Sequence, residues 1–202
     1  MSKKTIAVDI DDVIADSTEA LRLVANKIPG VSLDREHYQV EGKYWGYYES
    51  VWTRNGVDHL VSFEKLHNDM AESQAHVKLI HGARASLKIL SQKYKIVLIT
   101  SREIEWVDAT KVWIDDNLGD FVSGLVFVHH KNTDGRTKGD ACTEVGAEWL
   151  IDDNYDHCRS AQAVGVQPLL YGKYGWNRAV QDKAIPRVFS WKEVLEFFDA
   201  QG

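Results

Sequence analysis

Twice in this chain an apolar stretch runs straight into a cluster of aspartates. Thr5-Ile6-Ala7-Val8 leads into Asp9-Ile10-Asp11-Asp12, and Trp149-Leu150-Ile151 leads into Asp152-Asp153. Carboxylates gathered at the ends of buried strands repel one another and are costly to desolvate. A divalent cation offsets both penalties, and such ions take oxygen ligands. In open α/β sheets the carboxyl ends of the strands are also where ligands bind. A fold that brings the two clusters together would make one site of them.

The pattern between the clusters supports such a sheet. Strands are expected at residues 4–8, 95–100, 125–128, 149–151 and 167–171. Helices are expected over 17–28, 83–93 and 106–117, from about 138, over 155–163, and from Ser190 to the C-terminal end. Asp16 with Glu19, and Ser190 with Glu193, have the spacing of capping boxes, and Asp156 can cap the helix it precedes. Strands alternating with helices imply a parallel sheet covered on both faces. From about 31 to 76 the pattern changes to aromatic and charged residues with no parallel-strand run. The expected organisation is an α/β core, Rossmann-like, made of residues 1–16 and 80–202, with a small, mainly helical segment, 17–79, inserted after the first strand.

Composition narrows the function. With 44% hydrophobic and 27% charged residues in 202, the chain has the make-up of a soluble globular protein. Its formal net charge of −6 argues against a nucleic-acid polymer as partner, since such binders carry a basic stripe. No run approaches membrane-spanning length, the start lacks a signal-peptide core, and Cys142 and Cys158 form no disulfide framework or zinc spacing. A cytoplasmic protein with reduced thiols is the expectation.

Four positions could carry chemistry. Asp9 and Asp11, two apart at a strand end, can share a face, one attacking or binding metal while the other moves a proton. Thr100-Ser101 ends a strand where a hydroxyl and free N–H groups suit a phosphate oxygen. Lys138 sits in a first helical turn behind Thr137 and Asp140, where the helix dipole disfavours a cation unless an anion lies near. Lys131, in a loop, competes for the same role. Asp152-Asp153 closes a buried strand. Each has an ordinary alternative: solvated turn aspartates, a helix cap, or an exposed lysine.

In their order along the chain, Asp9-Ile10-Asp11-Asp12-Val13, Thr100, Lys138 and Asp152-Asp153 resemble the motifs of the haloacid dehalogenase-like hydrolase superfamily. Val8–Asp16 and Tyr171–Asn177 are similar to its 5′-deoxyribonucleotidase-like branch, with Asp12 where glycine is frequent. The resemblance implies a magnesium-dependent phosphomonoesterase. Asp9 would be the nucleophile, forming an aspartyl-phosphate, and Asp11 the general acid and base. Asp9, Asp153 and the Asp11 backbone carbonyl would hold Mg2+, with Asp152 supporting them from behind. Thr100, Ser101 and Lys138 would bind the phosphoryl group. It also implies that segment 17–79 caps the site. There Tyr38, Tyr44, Trp45, Tyr47, Tyr48 and Trp52 either build the small segment's core, as expected for most of them, or stack on a nucleobase. Trp176-Asn177 is expected to latch the C-terminal segment, with a loop near the site as the alternative. The substrate is a small phosphomonoester, a nucleoside monophosphate or alternatively a sugar or cofactor phosphate. A signalling receiver also uses aspartates, a Thr/Ser and a lysine, but its lysine comes last, whereas here Asp152-Asp153 follows Lys138.

Overall fold

A computed structural model describes residues 3–128 and 135–201. Six parallel strands form one sheet: β1 (Thr5–Val8), β2 (Lys95–Thr100), β3 (Gly124–Phe127), β4 (Ala147–Asp152), β5 (Gln167–Tyr171) and the two-residue β6 (Arg187–Val188). Their order is β3-β2-β1-β4-β5-β6, so the chain reverses its direction of winding at β1, which pairs with β2 on one side and β4 on the other. Such a switch point leaves a crevice outside the carboxyl ends of the strands.

Alternation along the strands builds two cores. Ile6, Val8, Leu98 and Ile151 point to one face and pack with Leu87 of α4 (Ala83–Lys93), Trp113 of α5 (Val107–Asn117) and Trp191 of α8 (Trp191–Asp199). Ala7, Val97, Ile99 and Leu150 point to the other, against Ala141 of α6 (Lys138–Glu144) and Ala161 of α7 (Tyr155–Ala163). Cys142 and Cys158 are free and buried. Among the described residues no helix is long and apolar enough to cross a membrane.

Between β1 and β2 lie α1 (Ser17–Ala25), a 3-10 turn over Arg35–Gln39, α2 (Tyr47–Arg54) and α3 (Phe63–Glu72). Leu21, Leu33, Tyr38, Tyr47, Val51, Trp52 and Leu66 form a separate hydrophobic cluster there. The two ends of this stretch meet. Asp16 N–H donates to Lys78 O and Ile80 N–H to Ile14 O, each at 2.8 Å.

Several local expectations need correction. α1 stops at Ala25 rather than Ile28, because the Asn26 side chain turns to pair with both the N–H and the carbonyl of Leu33. Asp16 makes no side-chain capping bond; Asp12 takes the task, accepting from Thr18 N–H at 3.0 Å and Thr18 Oγ1 at 2.7 Å. Asn154, not Asp156, caps α7. At α8 Ser190 accepts from Glu193 N–H, but the Glu193 carboxylate returns to Phe189 N–H. β6 was not expected: two residues are too few to display a period.

Candidate functional site

β1 ends at Val8, and residues 10–15 fold into a tight turn held by Ile14 and Ala15 N–H groups on Ile10 O. Strand alternation therefore reaches Asp9 but not Asp11, which lies in the turn. Asp12 has φ of +55°, and the chain bends there. Aspartate is among the few non-glycine residues that enter this region readily, and here its side chain is used to cap α1. That accounts for an aspartate where glycine is frequent.

Asp9 and Asp152 lie at the ends of neighbouring strands, both on the α6 face. The first residue of α6, Lys138, reaches between them. Its fully buried ammonium lies 2.8 Å from Asp9 Oδ1 and 2.7 Å from Asp152 Oδ2. Thr137 and Asp140 form a reciprocal capping box that fixes this turn. The unfavourable placement of a cation at a helix start is thus offset by two carboxylates. Burial opposes the charge on Lys138, but Asp152 and Asp9 more than compensate and raise its pKa.

The two carboxylates sharing this lysine differ in their other partners. Burial works against Asp152, yet Lys138 and His157 hold it down at about 2, and Asn154 N–H donates to its Oδ1 at 2.9 Å. Burial pushes Asp9 up to about 6, with Lys138 opposing and Asp152 adding to the rise. Asp153, also buried, is driven well above the ordinary carboxylate range by burial and then by Asp152, Asp9 and Asp12. Oxygen atoms of Asp9, Asp152 and Asp153 all lie within 4.8 Å of one another.

Asp11 faces a different partner, one that sequence reasoning missed. Arg102 Nε donates to Asp11 Oδ2 at 2.8 Å and Nη2 to Oδ1 at 2.7 Å, a two-pronged ion pair, and Ser17 Oγ donates to Oδ1 as well. The guanidinium is buried. Its Nη1 bonds Gln74 Oε1 and Thr110 Oγ1, and it lies 5.9 Å from the rings of both Trp106 and Trp113. Burial opposes it, but Arg102 keeps the Asp11 carboxyl below its usual value. The available signal was position alone: Arg102 follows Thr100-Ser101 at the end of a strand beside β1.

Asp9, Asp11, Asp153 and Arg102 floor a cavity of about 340 Å³, with Lys138 and Asp152 buried behind them, within the usual range of small-molecule pockets. Asp9, Asp11, Asp153, Ser101 and Arg102 line it from the sheet; Tyr44, Tyr48, Leu66 and Met70 line it from residues 17–79. Thr100 is fully buried behind Ser101, its Oγ1 accepting from Arg102 N–H at 3.2 Å. The segment's aromatics divide. Tyr38, Tyr47 and Trp52 are buried in its core, Tyr47 also touching the cavity, whereas Tyr44, Trp45 and Tyr48 are less buried and line it. Trp176 closes one side and Asn177 is buried beneath it. Lys131 lies outside the described residues.

The residues suit a divalent cation. The donors are carboxylate oxygens only, and Asp9, Asp11, Asp152 and Asp153 face two cations, Lys138 and Arg102. An oxygen-only set with an excess of negative charge is what magnesium binds. Asp152 has both oxygens engaged, by Lys138, Asn154 N–H and His157, whereas Lys138 reaches Asp9 and Trp176 reaches Asp153 through one oxygen each.

A family model described as "5′ nucleotidase, deoxy (Pyrimidine), cytosolic type C protein" matches residues 3–201. Comparison with curated proteins finds no match. Among solved structures, a Bacillus subtilis protein assigned as a HAD-hydrolase and solved bound to magnesium aligns with a TM-score of 0.63 at 14% identity, covering 98% of this chain and 100% of that one. A haloacid dehalogenase-like family hydrolase from Streptococcus pneumoniae aligns at 0.64 and 15%, covering 97% and 98%. CbbY from Rhodobacter sphaeroides, in complex with phosphate, aligns at 0.57 and 15%, covering 96% of each chain. At such identities the structural matches speak for the fold.

Proposed function

This chain belongs to the cytosolic type C 5′-nucleotidase family of haloacid dehalogenase-like hydrolases, and from that membership we propose a magnesium-dependent phosphomonoesterase that works through an aspartyl-phosphate on nucleoside 5′-monophosphates. That it is a phosphatase follows from the family; the metal, the intermediate and the substrate are our reading. The observation that carries it is the meeting of Asp9, Asp11 and Asp153 around one cavity at the switch point of the sheet, with Lys138 buried against Asp9 behind them.

Asp9 attacks phosphorus with the carboxylate oxygen that Lys138 leaves available, and the bond from phosphorus to the alkoxide breaks. The negative charge of the bound phosphate raises the pKa of Asp11 against the hold of Arg102, so that Asp11 carries a proton and gives it to the alkoxide. It then takes a proton from the water that attacks phosphorus, so phosphate leaves, Asp9 is regenerated and Asp11 is protonated for the next turnover. Arg102 and Ser17 fix the direction of the Asp11 carboxylate. Lys138 and Ser101, with Thr100 behind, offset charge on the phosphoryl oxygens. Asp9, Asp153 and the Asp11 backbone carbonyl would hold Mg2+, which when bound would supply positive charge to the transferring group. Asp152 keeps Lys138 in place.

Residues 17–79 serve as the cap and 1–16 with 80–202 as the core. Tyr44, Trp45 and Tyr48 offer π faces to a base, each stacking contact contributing ~1–3 kcal/mol. The two free, buried thiols fit a reducing compartment such as the cytoplasm.

A panel of monophosphates assayed for phosphate release tests this. Turnover of nucleoside 5′-monophosphates with Mg2+, its loss with chelator, and its loss in a folded Asp9→Asn variant are expected. Metal-independent turnover, or a fully active Asp9→Asn, refutes the mechanism. Preference for sugar or cofactor phosphates overturns the substrate alone.

A further inference from the structure

Beyond β5 the segment Gly172–Asn177 turns Tyr174, Trp176 and Asn177 toward the site. Tyr174 and Trp176 stack, ring centroids 4.9 Å apart and planes within 7°. Tyr174 OH donates to the Asp12 carbonyl at 2.6 Å, and Trp176 Nε1 donates to Asp153 Oδ2 at 2.7 Å. Asn177, fully buried below, donates to the carbonyls of Asp153 at 2.8 Å and Tyr171 at 3.0 Å, and its Oδ1 accepts from Tyr174 N–H at 2.9 Å. Asp153 is therefore gripped twice from one segment, by its backbone through Asn177 and by its carboxylate through Trp176.

The other edges of Trp176 meet the 17–79 segment. Its ring lies edge-on to Tyr47 at 5.0 Å, Tyr44 at 5.9 Å and Tyr48 at 6.5 Å. Gly42 N–H donates to Gly175 O at 3.2 Å, and a Cβ on Gly175 would fall 1.8 Å from the Tyr47 hydroxyl, so glycine is required at this approach. One indole thus touches a carboxylate of the acidic cluster and three tyrosines of the segment above it.

The chemistry of the indole suits this position. It donates one hydrogen bond, accepts none and carries no charge. It therefore orients a carboxylate without competing for a cation, as a lysine there would. It occupies Oδ2 and leaves Oδ1 to be presented elsewhere. We infer that Trp176 is a positioning residue, its N–H holding Asp153 in the rotamer that meets the divalent cation and its ring registering that rotamer against the 17–79 segment. This rests on the reading of Asp153 as a cation ligand. Groups that orient metal ligands in this way commonly change metal affinity by ~10–100-fold when removed.

The test is Trp176→Phe, which keeps an aromatic ring on Tyr174 and removes the N–H. Mn2+ binding to substrate-free protein is followed by paramagnetic resonance and Mg2+ binding by calorimetry. Affinity is expected to fall by ~10–100-fold, with turnover recovering as Mg2+ is raised. Trp176→His, which restores a ring N–H, is expected to recover part of the affinity. Tyr174→Phe keeps the indole bond and is expected to bind metal like the wild type. Unchanged affinity in Trp176→Phe overturns the assignment. So does an equal loss in Tyr174→Phe, because packing of the segment would then be the cause. A wild type that binds neither ion overturns the cation reading itself, which the wild-type titration reveals before any variant is made.

Discussion

Replacing Lys138 by methionine keeps the length and apolar stem of the side chain but removes the ammonium that separates Asp9 Oδ1 at 2.8 Å from Asp152 Oδ2 at 2.7 Å. Both carboxylates remain buried, at 7% and 0% side-chain exposure, so solvent offers little relief. Removing one partner from a buried ion pair costs ~3–5 kcal/mol, chiefly because the other charge is left uncompensated. Here two charges are left. Asp152 keeps the Asn154 N–H and His157, whereas Asp9, already raised by burial, accepts a proton and limits the loss to that range. Against a typical stability of ~5–15 kcal/mol this is a large fraction. With ~2–4 °C per kcal/mol for a chain of this size, the midpoint should fall by ~6–20 °C. Thermal and urea unfolding followed by circular dichroism, in chelator, measure it. Adding Asp152→Asn removes one of the stranded charges, and the double variant should be more stable than the sum of the single losses predicts, with a coupling of ~0.5–3 kcal/mol. A loss below ~1 kcal/mol in the single variant, or strict additivity in the double, would show that Lys138 is not the counter-charge of these aspartates.

Arg102→Gln removes the two-pronged grip on Asp11, and kcat should fall by ~10²-fold, the cost of a misplaced acid–base group, with KM changed far less; steady-state kinetics with unaltered kcat would refute it. Asp12→Ala loses the cap on Thr18 while keeping a side chain at φ +55°, whereas Asp12→Gly loses the cap but relieves the backbone. Unfolding midpoints should therefore rank alanine below glycine by ~1 kcal/mol, and the reverse order would contradict the account of that turn.

Much of the sheet was legible because its strands are buried on both faces and bounded by turn residues. β2 at Lys95–Thr100 and β5 at Gln167–Tyr171 have the expected ends, as do α4 and α7. That the aspartates close strands was legible; that β1 and β4 are neighbours, so that the two clusters meet, shows only in the sheet order. What stayed hidden depends on partners remote in sequence. Arg102 reads as a loop arginine until Asp11, 91 residues away, is placed beside it. The division of labour between Asp152 and Asp153 turns on which of them Lys138 and Trp176 reach. Periodicity could not sort the aromatics of 17–79, because a small core and a cavity wall both attract them. Caps were misplaced for a local reason: Asp12, Asn154 and Glu193 bond where the turn, not the spacing, directs them.

The contact between Ala15 and Leu79 joins the two ends of a long excursion into a single narrow neck. β1 and β2 are brought together whatever the chain does beyond that neck, and closing a loop of twice the length adds only ~0.6 kcal/mol of entropy. Asp9 and Asp153 lie below it, at the ends of strands the excursion does not interrupt. On the proposed reading, what is recognised is free to change by exchanging the residues above the neck that meet only the cavity, whereas Ser17 and Gln74, which hold Asp11 and Arg102, have to stay.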